Sequence, residues 1–299
     1  MPPDPDLESM AAALQGTGRY EVLRRFEPPG QYAAPDGART VTALAVDVET
    51  TGRDPAQDRI IQFSAVPFTY APASGRLYQV GPAATSFEDP GAPLPAAITA
   101  LTGITDNQVR GQRLDEAAAN RLAGQAALVV AHNAAFDRAF VERRLPVFQD
   151  KPWACSLTDI AWPAGLGSTK LEFLLYKHCG LFFAAHTAEA DCLALIHLLA
   201  TPFADGALPM ARLLEAARRK KTARIWATDA PFEKKDLLKA RQYHWHPGGD
   251  GRPKAWRRDL PETETETELD WLREHVYAGE SGRWHVDVFG AERRYSPRA

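Results

Sequence analysis

The stretch Val41–Arg53, V-T-A-L-A-V-D-V-E-T-T-G-R, constrains the fold of this chain more than any other. Ala43–Val46 is apolar on both faces, as a central strand of a sheet covered on both sides would be. The run ends in Asp47-x-Glu49 and then Thr50-Thr51-Gly52, a strand-to-turn junction. Strand side chains alternate, so Asp47 and Glu49 point the same way. Neighbouring carboxylates repel, and a divalent cation that prefers hard oxygen ligands relieves the repulsion. On these residues alone two readings stay open: a Mg²⁺ or Mn²⁺ site, or a junction whose two acids face water.

The elements around this strand point to a mixed α/β sheet. Arg59–Tyr70 and Arg76–Phe87 read as two further strands, with Pro67 hinting at a bulge or an edge. Pro95–Leu101 and Arg113–Gly124 read as helices, and Ala127–Ala131 as a short buried strand. A helix to about Leu145, a strand over Trp153–Trp162, a helix over Thr169–His178 capped by Gly180, and a long helix over Thr187–Ala200 follow. Three strands followed by alternating helix and strand fit a mixed sheet flanked by helices.

Two of these helices carry an acid where a core residue belongs. Asp191 shares a stripe with Leu195 and Leu198, and Asp137 lies beside Phe140 and Val141. A carboxylate on an apolar stripe is desolvated unless something compensates it. Either acid taken singly could be a first-turn charge favoured by the helix dipole. Four such acids, two on one strand and one on each of two helices, argue against that explanation. His186 stands just before the last helix, with Thr187 as the expected N-cap, and its ordinary pKa of about 6.5 suits it to take a proton from water. His178, His197, His244 and His246 receive no role.

In order, Asp47-Val48-Glu49-Thr50-Thr51-Gly52, Thr102-Gly103-Ile104-Thr105, His132-Asn133-x-x-Phe136-Asp137 and His186-x-Ala188-x-x-Asp191 resemble the DEDDh 3′–5′ exonucleases. That family includes the proofreading epsilon subunit of bacterial DNA polymerase III, ribonuclease T and oligoribonuclease. The resemblance covers roughly residues 40–200. It implies a ribonuclease-H-like fold with a mixed five-stranded sheet. It implies that Asp47, Glu49, Asp137 and Asp191 hold two divalent ions, Mg²⁺ or Mn²⁺, and that His186 is the general base. It further implies that Thr50, Thr51, Thr102, Gly103, Ile104 and Thr105 hold the terminal nucleotide, with Asn133 beside the third acid. The product would be a nucleoside 5′-monophosphate. Some members have a histidine before the Gly-Ile-Thr loop, where this chain has Thr102.

Beyond Thr201-Pro202 lies a part that the family does not need. A helix over Pro209–Lys221 ends in Arg218-Arg219-Lys220-Lys221. Strands over Arg224–Ala227, Tyr243–His246, Lys254–Leu260 and Trp284–Phe289 and helices over Phe232–Ala240 and Leu269–Tyr277 suggest a β-α-β-β-α-β module. Pro-Gly-Gly-Asp-Gly marks a hairpin turn, and Pro261–Glu268 reads as an acidic linker. Arg218–Leu260 holds 13 Lys/Arg against 5 Asp/Glu, a balance of +8 in a chain whose net charge is −3. Interleaved aromatics make Arg241, Trp245, Lys254 and Trp256 candidate contacts to a single strand, against the alternative of a small domain's core and solvated face.

The expected organisation is an N-terminal extension over 1–39, an exonuclease domain over 40–203, a linker helix over 204–222 and a small α+β module over 223–299. The expected partner is a single-stranded or frayed 3′ end, DNA favoured over RNA, with a protein partner for the module as a further option. An exoribonuclease, and a nuclease-fold scaffold without turnover, are the competing readings. Three scattered cysteines without a CxxC pair, no signal sequence and no apolar run of membrane length lead us to expect a cytoplasmic protein without a membrane span.

Overall fold

The computed structural model describes residues 5–219, 221–249, 251–279 and 283–298. Residues 1–4, Lys220 of the basic run, Asp250 of the hairpin turn, residues 280–282 and Ala299 lie outside the described residues. Helix α1 (Pro5–Gly16) is followed by an extended segment with one two-residue strand, β1 (Arg24–Arg25). After it, Phe26 finds a place in the core while Tyr20 stays exposed.

Strands β2 (Val41–Thr50) and β3 (Ile60–Tyr70) form a long antiparallel pair. The next expected strand is split into β4 (Leu77–Val80) and β5 (Ala84–Phe87), both antiparallel to β3. Pro67 therefore lies in an interior strand and not at an edge. Its missing donor falls at the handover, because β4 reaches Phe68 and β5 begins opposite Ala65. Gly81 bridges the gap and donates its N–H to the Pro67 carbonyl at 2.8 Å.

Helices α2 (Ala96–Thr102) and α3 (Asp106–Val109) precede α4 (Glu116–Gln125), which Asp115 caps by accepting from the Ala118 N–H at 2.9 Å. Strand β6 (Leu128–Ala131) lies parallel to β2, and helix α5 (Ala134–Arg144) follows it. Strand β7 (Trp153–Cys155), parallel to β6, stops well short of Trp162 because the Asp159 carboxylate turns the chain back onto the Cys155 N–H at 2.9 Å. Helix α6 (Leu171–Cys179) ends at Gly180, whose φ of 68° is the left-handed C-cap. Strand β8 (Leu181–Phe182) pairs with β1, and helices α7 (Ala188–Ala200) and α8 (Pro209–Arg219) complete this part.

The sheet order is β4-β3-β2-β6-β7 with β5 also on β3, six strands where five were expected. Strand β2 divides two cores. Ala43 and Ala45 face the side of Leu174, Leu195 and Leu213, and Leu44, Val46 and Val48 face the side of Ala119, Phe140 and Val141. Each fully buried Leu or Phe contributes about 1.5–3 kcal/mol, so β2 is clamped on both faces.

A second sheet comes from β9 (Thr222–Thr228), α9 (Lys235–Ala240), β10 (His244–Gly249), β11 (Arg252–Pro261), α10 (Thr265–His275) and β12 (Trp284–Phe289). Its order, β10-β11-β9-β12, is antiparallel throughout, the arrangement of a split β-α-β motif. The acidic stretch Pro261–Glu268 is not a linker. It forms a turn over Glu262–Glu264 and the start of α10, where acids suit the helix dipole. Glu268 is 4% exposed and accepts from Arg241 and Arg258. Among the described residues no helix is long and apolar enough to cross a membrane.

Candidate active site

Strand β2 delivers two carboxylates to one place. Ala43, Ala45, Asp47 and Glu49 share a parity, so the acids extend the face that packs on α7. The β2–β3 register shifts between Glu49 and Thr50, ending the ladder just past the acids. Beyond it, Thr51 Oγ1 donates to Asp58 Oδ1 at 3.0 Å and Asp58 Oδ2 accepts from the Asp54 N–H at 2.8 Å. A Cβ on Gly52 would fall 2.5 Å from that carboxylate, which is why glycine fits this turn.

Helix α7 brings the third carboxylate. Asp191 lies above Leu195 and Leu198 on its buried stripe. The side-chain cap expected from Thr187 is not made; instead the Thr187 N–H donates to Asp191 Oδ2 at 3.1 Å. Gln62, opposite Glu49 on β3, accepts from the Ala188 N–H at 2.9 Å and pins the first turn of α7 to the sheet. Just before it, His186 is exposed and holds a positive φ of 67°.

Oxygens of Asp47, Glu49 and Asp191 all lie within 4.8 Å of one another. Asp137, on the first turn of α5 and 2% exposed, accepts from the Val48 N–H at 3.3 Å beside them. Burial, and then the charges of Asp137, Asp191 and Glu49, push Asp47 well above the ordinary carboxylate range. Burial, and then Asp191, raises Glu49 to about 7. Burial raises Asp191 to about 7 against the opposing hydrogen bonds of the His186 and Thr187 backbone. Burial also lifts Asp137. Without a cation, burial and mutual repulsion make the charged forms of these acids costly. The donor set is wholly oxygen and anionic, and it fits a hard divalent cation.

A cleft of about 760 Å³ opens over the acids. Thr50, Gly52, Thr102, Asn133 and His186 line it with Asp47, Glu49, Asp137 and Asp191. Other members of the predicted substrate loop do structural work. Gly103 is the left-handed cap of α2, the Ile104 side chain is buried beside Ile61 and Val109, and Thr105 caps α3 in a capping box with Gln108. Asn133 takes a φ of 79° at the start of α5 and makes no side-chain cap. The sequence did not point to Gln62, Glu172 or Leu101, and His132 stood in a motif without a role. Glu172 lines the cleft and acts on Asp191, and His132 bonds Ser156 and the Thr169 carbonyl, both at 2.8 Å. Leu101, 53% exposed, offers the cleft an apolar lip.

The four residues predicted to grip a strand lie apart from the acids. Strand pairing puts Trp245, Lys254 and Trp256 on the helix-covered face of the second sheet, where Trp256 packs against the core. Arg241 stacks on Trp271 at 4.3 Å and pairs with Glu268.

A family model described as an exonuclease, RNase_T, matches residues 44–199. The PolC-type DNA polymerase III of Clostridium perfringens is 34% identical over 160 residues, which are 50% of this chain and 10% of that protein. Its counterpart in Streptococcus agalactiae is 39% identical over 102 residues, 33% of this chain and 6% of that one. The chain thus spans a tenth or less of the length of these curated relatives. Among solved structures, E. coli ExoI with single-stranded DNA aligns at TM-score 0.49 and 18% identity, over 79% of this chain and 71% of that chain. Exonuclease X with 5′-overhanging duplex DNA aligns at 0.39 and 22% identity, over 59% and 91%.

Proposed function

Because this chain belongs to the exonuclease family, as a DEDDh-type member on a ribonuclease-H-like fold, we propose that it hydrolyses nucleic acid from the 3′ end and releases nucleoside 5′-monophosphates. The observation that carries this is the convergence of Asp47, Glu49 and Asp191 within 4.8 Å, in the cleft that His186 also lines. DNA is the preferred substrate, in keeping with the DNA polymerases that the chain resembles. Three free cysteines support a reducing compartment, the cytoplasm.

Asp47, Glu49, Asp137 and Asp191 would hold two divalent ions, Mg²⁺ or Mn²⁺. Such ions supply positive charge against the scissile phosphate and the leaving 3′-oxygen. The remaining work falls to the chain. His186, exposed at the mouth of α7, takes the proton of the attacking water. Gln62 and the Thr187 N–H fix the turn that carries it and orient Asp191. Thr50 and Thr102, whose hydroxyls donate to the Gly52 and Ile98 carbonyls at 2.6 and 2.9 Å, shape the wall beside the terminal nucleotide, and Leu101 offers its base an apolar surface.

His186→Ala separates this chemistry from binding. Single-turnover hydrolysis should fall by roughly 10²–10⁴-fold, the usual weight of a general base, while Mn²⁺ and oligonucleotide binding persist. Turnover near that of the unaltered protein would remove His186 from the role.

A further inference from the structure

A second cleft, of about 920 Å³, lies between the nuclease sheet and the C-terminal sheet. Arg53 and Phe136 line both it and the cleft over the acids, so the two adjoin. Seven Arg or Lys side chains line the second cleft against two Asp. Both acids are already engaged, Asp259 by Arg224 at 2.6 Å and Asp159 by Arg294 at 3.2 Å. Arg53, Lys221, Lys239 and Arg257 form no salt bridge among the described residues.

Strand pairing shows which side of the C-terminal sheet does this. His244, Arg257 and Trp226 sit opposite one another across β10, β11 and β9, and Arg224, two residues from Trp226, shares their face. The other face, with Trp256 and Ile225, packs on α9 and α10. Arg224 and Arg257 lie over the Trp226 ring at 5.8 and 6.0 Å. Buried Arg224 keeps one guanidinium nitrogen, Nη1, without a hydrogen-bond partner. Burial, and then the Arg224 charge, pulls Arg257 below its ordinary pKa.

We propose that this second cleft is a track for the sugar–phosphate backbone of single-stranded nucleic acid, holding the body of the strand 5′ of the end that lies over the acids. The proposal rests on the exonuclease reading for the direction of the strand alone. Unpaired cations lining a groove that adjoins the acidic cleft suit phosphates, and their number sets the salt dependence.

The test compares Lys221→Glu/Lys239→Glu, two exposed cleft positions, with Lys254→Glu on the opposite face. Fluorescence anisotropy with 5′-labelled 4-mer and 24-mer DNA, in EDTA, reads binding without hydrolysis. The unaltered protein should bind the 24-mer more tightly than the 4-mer. The double variant should weaken 24-mer binding roughly tenfold at low salt and flatten its salt slope by about 1.4, at ~0.7 per phosphate. Lys254→Glu should leave both nearly unchanged. An unchanged 24-mer affinity in the double variant, or an equal loss in Lys254→Glu, would overturn the track. A protein that binds in this pattern yet cleaves nothing would overturn the exonuclease reading and leave the track standing.

Discussion

Asp47 is costly to this fold without a cation. It is half-buried by surface exposure, and burial and then three other carboxylates raise its pKa well above the ordinary range. Asp47→Asn should therefore stabilise the metal-free protein by roughly 1–3 kcal/mol while ending hydrolysis, read by denaturant titration in EDTA beside a cleavage assay. Glu49 and Asp191 give the pH dependence. Their folded pKa values near 7 stand above the ordinary 4.5 and 3.8, so the folded state binds protons more tightly than the unfolded chain. Their contribution to stability is full below about pH 4 and is lost as pH rises toward 7. The melting temperature in EDTA should fall across that window, and Glu49→Gln should flatten the fall. Mn²⁺ should raise it more at pH 8 than at pH 5.5. Asp47 and Glu49 could be read from a period of two, and Asp191 from its apolar stripe. Gln62 could not, because its partner, the Ala188 N–H, is 126 residues away.

At the scale of elements, the helix most misread was α10. Four Glu alternating with Thr look like a solvated linker, yet the fold uses them to start a helix. The sequence gives no hint that Glu268 alone turns inward to meet Arg241 and Arg258, from α9's end and β11. Glu268→Ala strands both guanidinium groups. It should lower stability by roughly 2 kcal/mol, short of the 3–5 of a fully buried pair because solvent reaches Arg241. Denaturation followed by tryptophan fluorescence reads it, and no change would make the pair ornamental. The strands and helices of the nuclease part were legible because their apolar periods are long. The split of β4 from β5 was not, since it depends on where β3 carries Pro67.

Across the whole molecule, the C-terminal tail returns to the nuclease part. Arg138, fully buried and next to Asp137 on α5, donates to the carbonyls of Glu292 and Arg294, both at 2.6 Å, and to Glu142 at 2.5 Å. Ser296 and Arg298 bind the same Glu142, and the Trp153 N–H donates to the Ala291 carbonyl at 2.9 Å. Pattern reading cannot find contacts between residues more than 150 apart. Deleting residues 291–299 would leave Arg138 buried without most of its acceptors. It should cost about 3–5 kcal/mol and slow hydrolysis even of a 4-mer, through displacement of Asp137. Melting curves and initial rates test both parts.

The most direct measurement of the central claim is digestion of matched DNA and RNA oligomers, 5′-labelled, with Mg²⁺, Mn²⁺ or EDTA, beside Asp47→Ala. The expected result is a ladder shortening from the 3′ end, stronger on DNA, absent in EDTA and absent with Asp47→Ala. A ladder that survives both EDTA and Asp47→Ala, or no ladder on either strand, would contradict a metal-dependent 3′–5′ exonuclease built on these carboxylates.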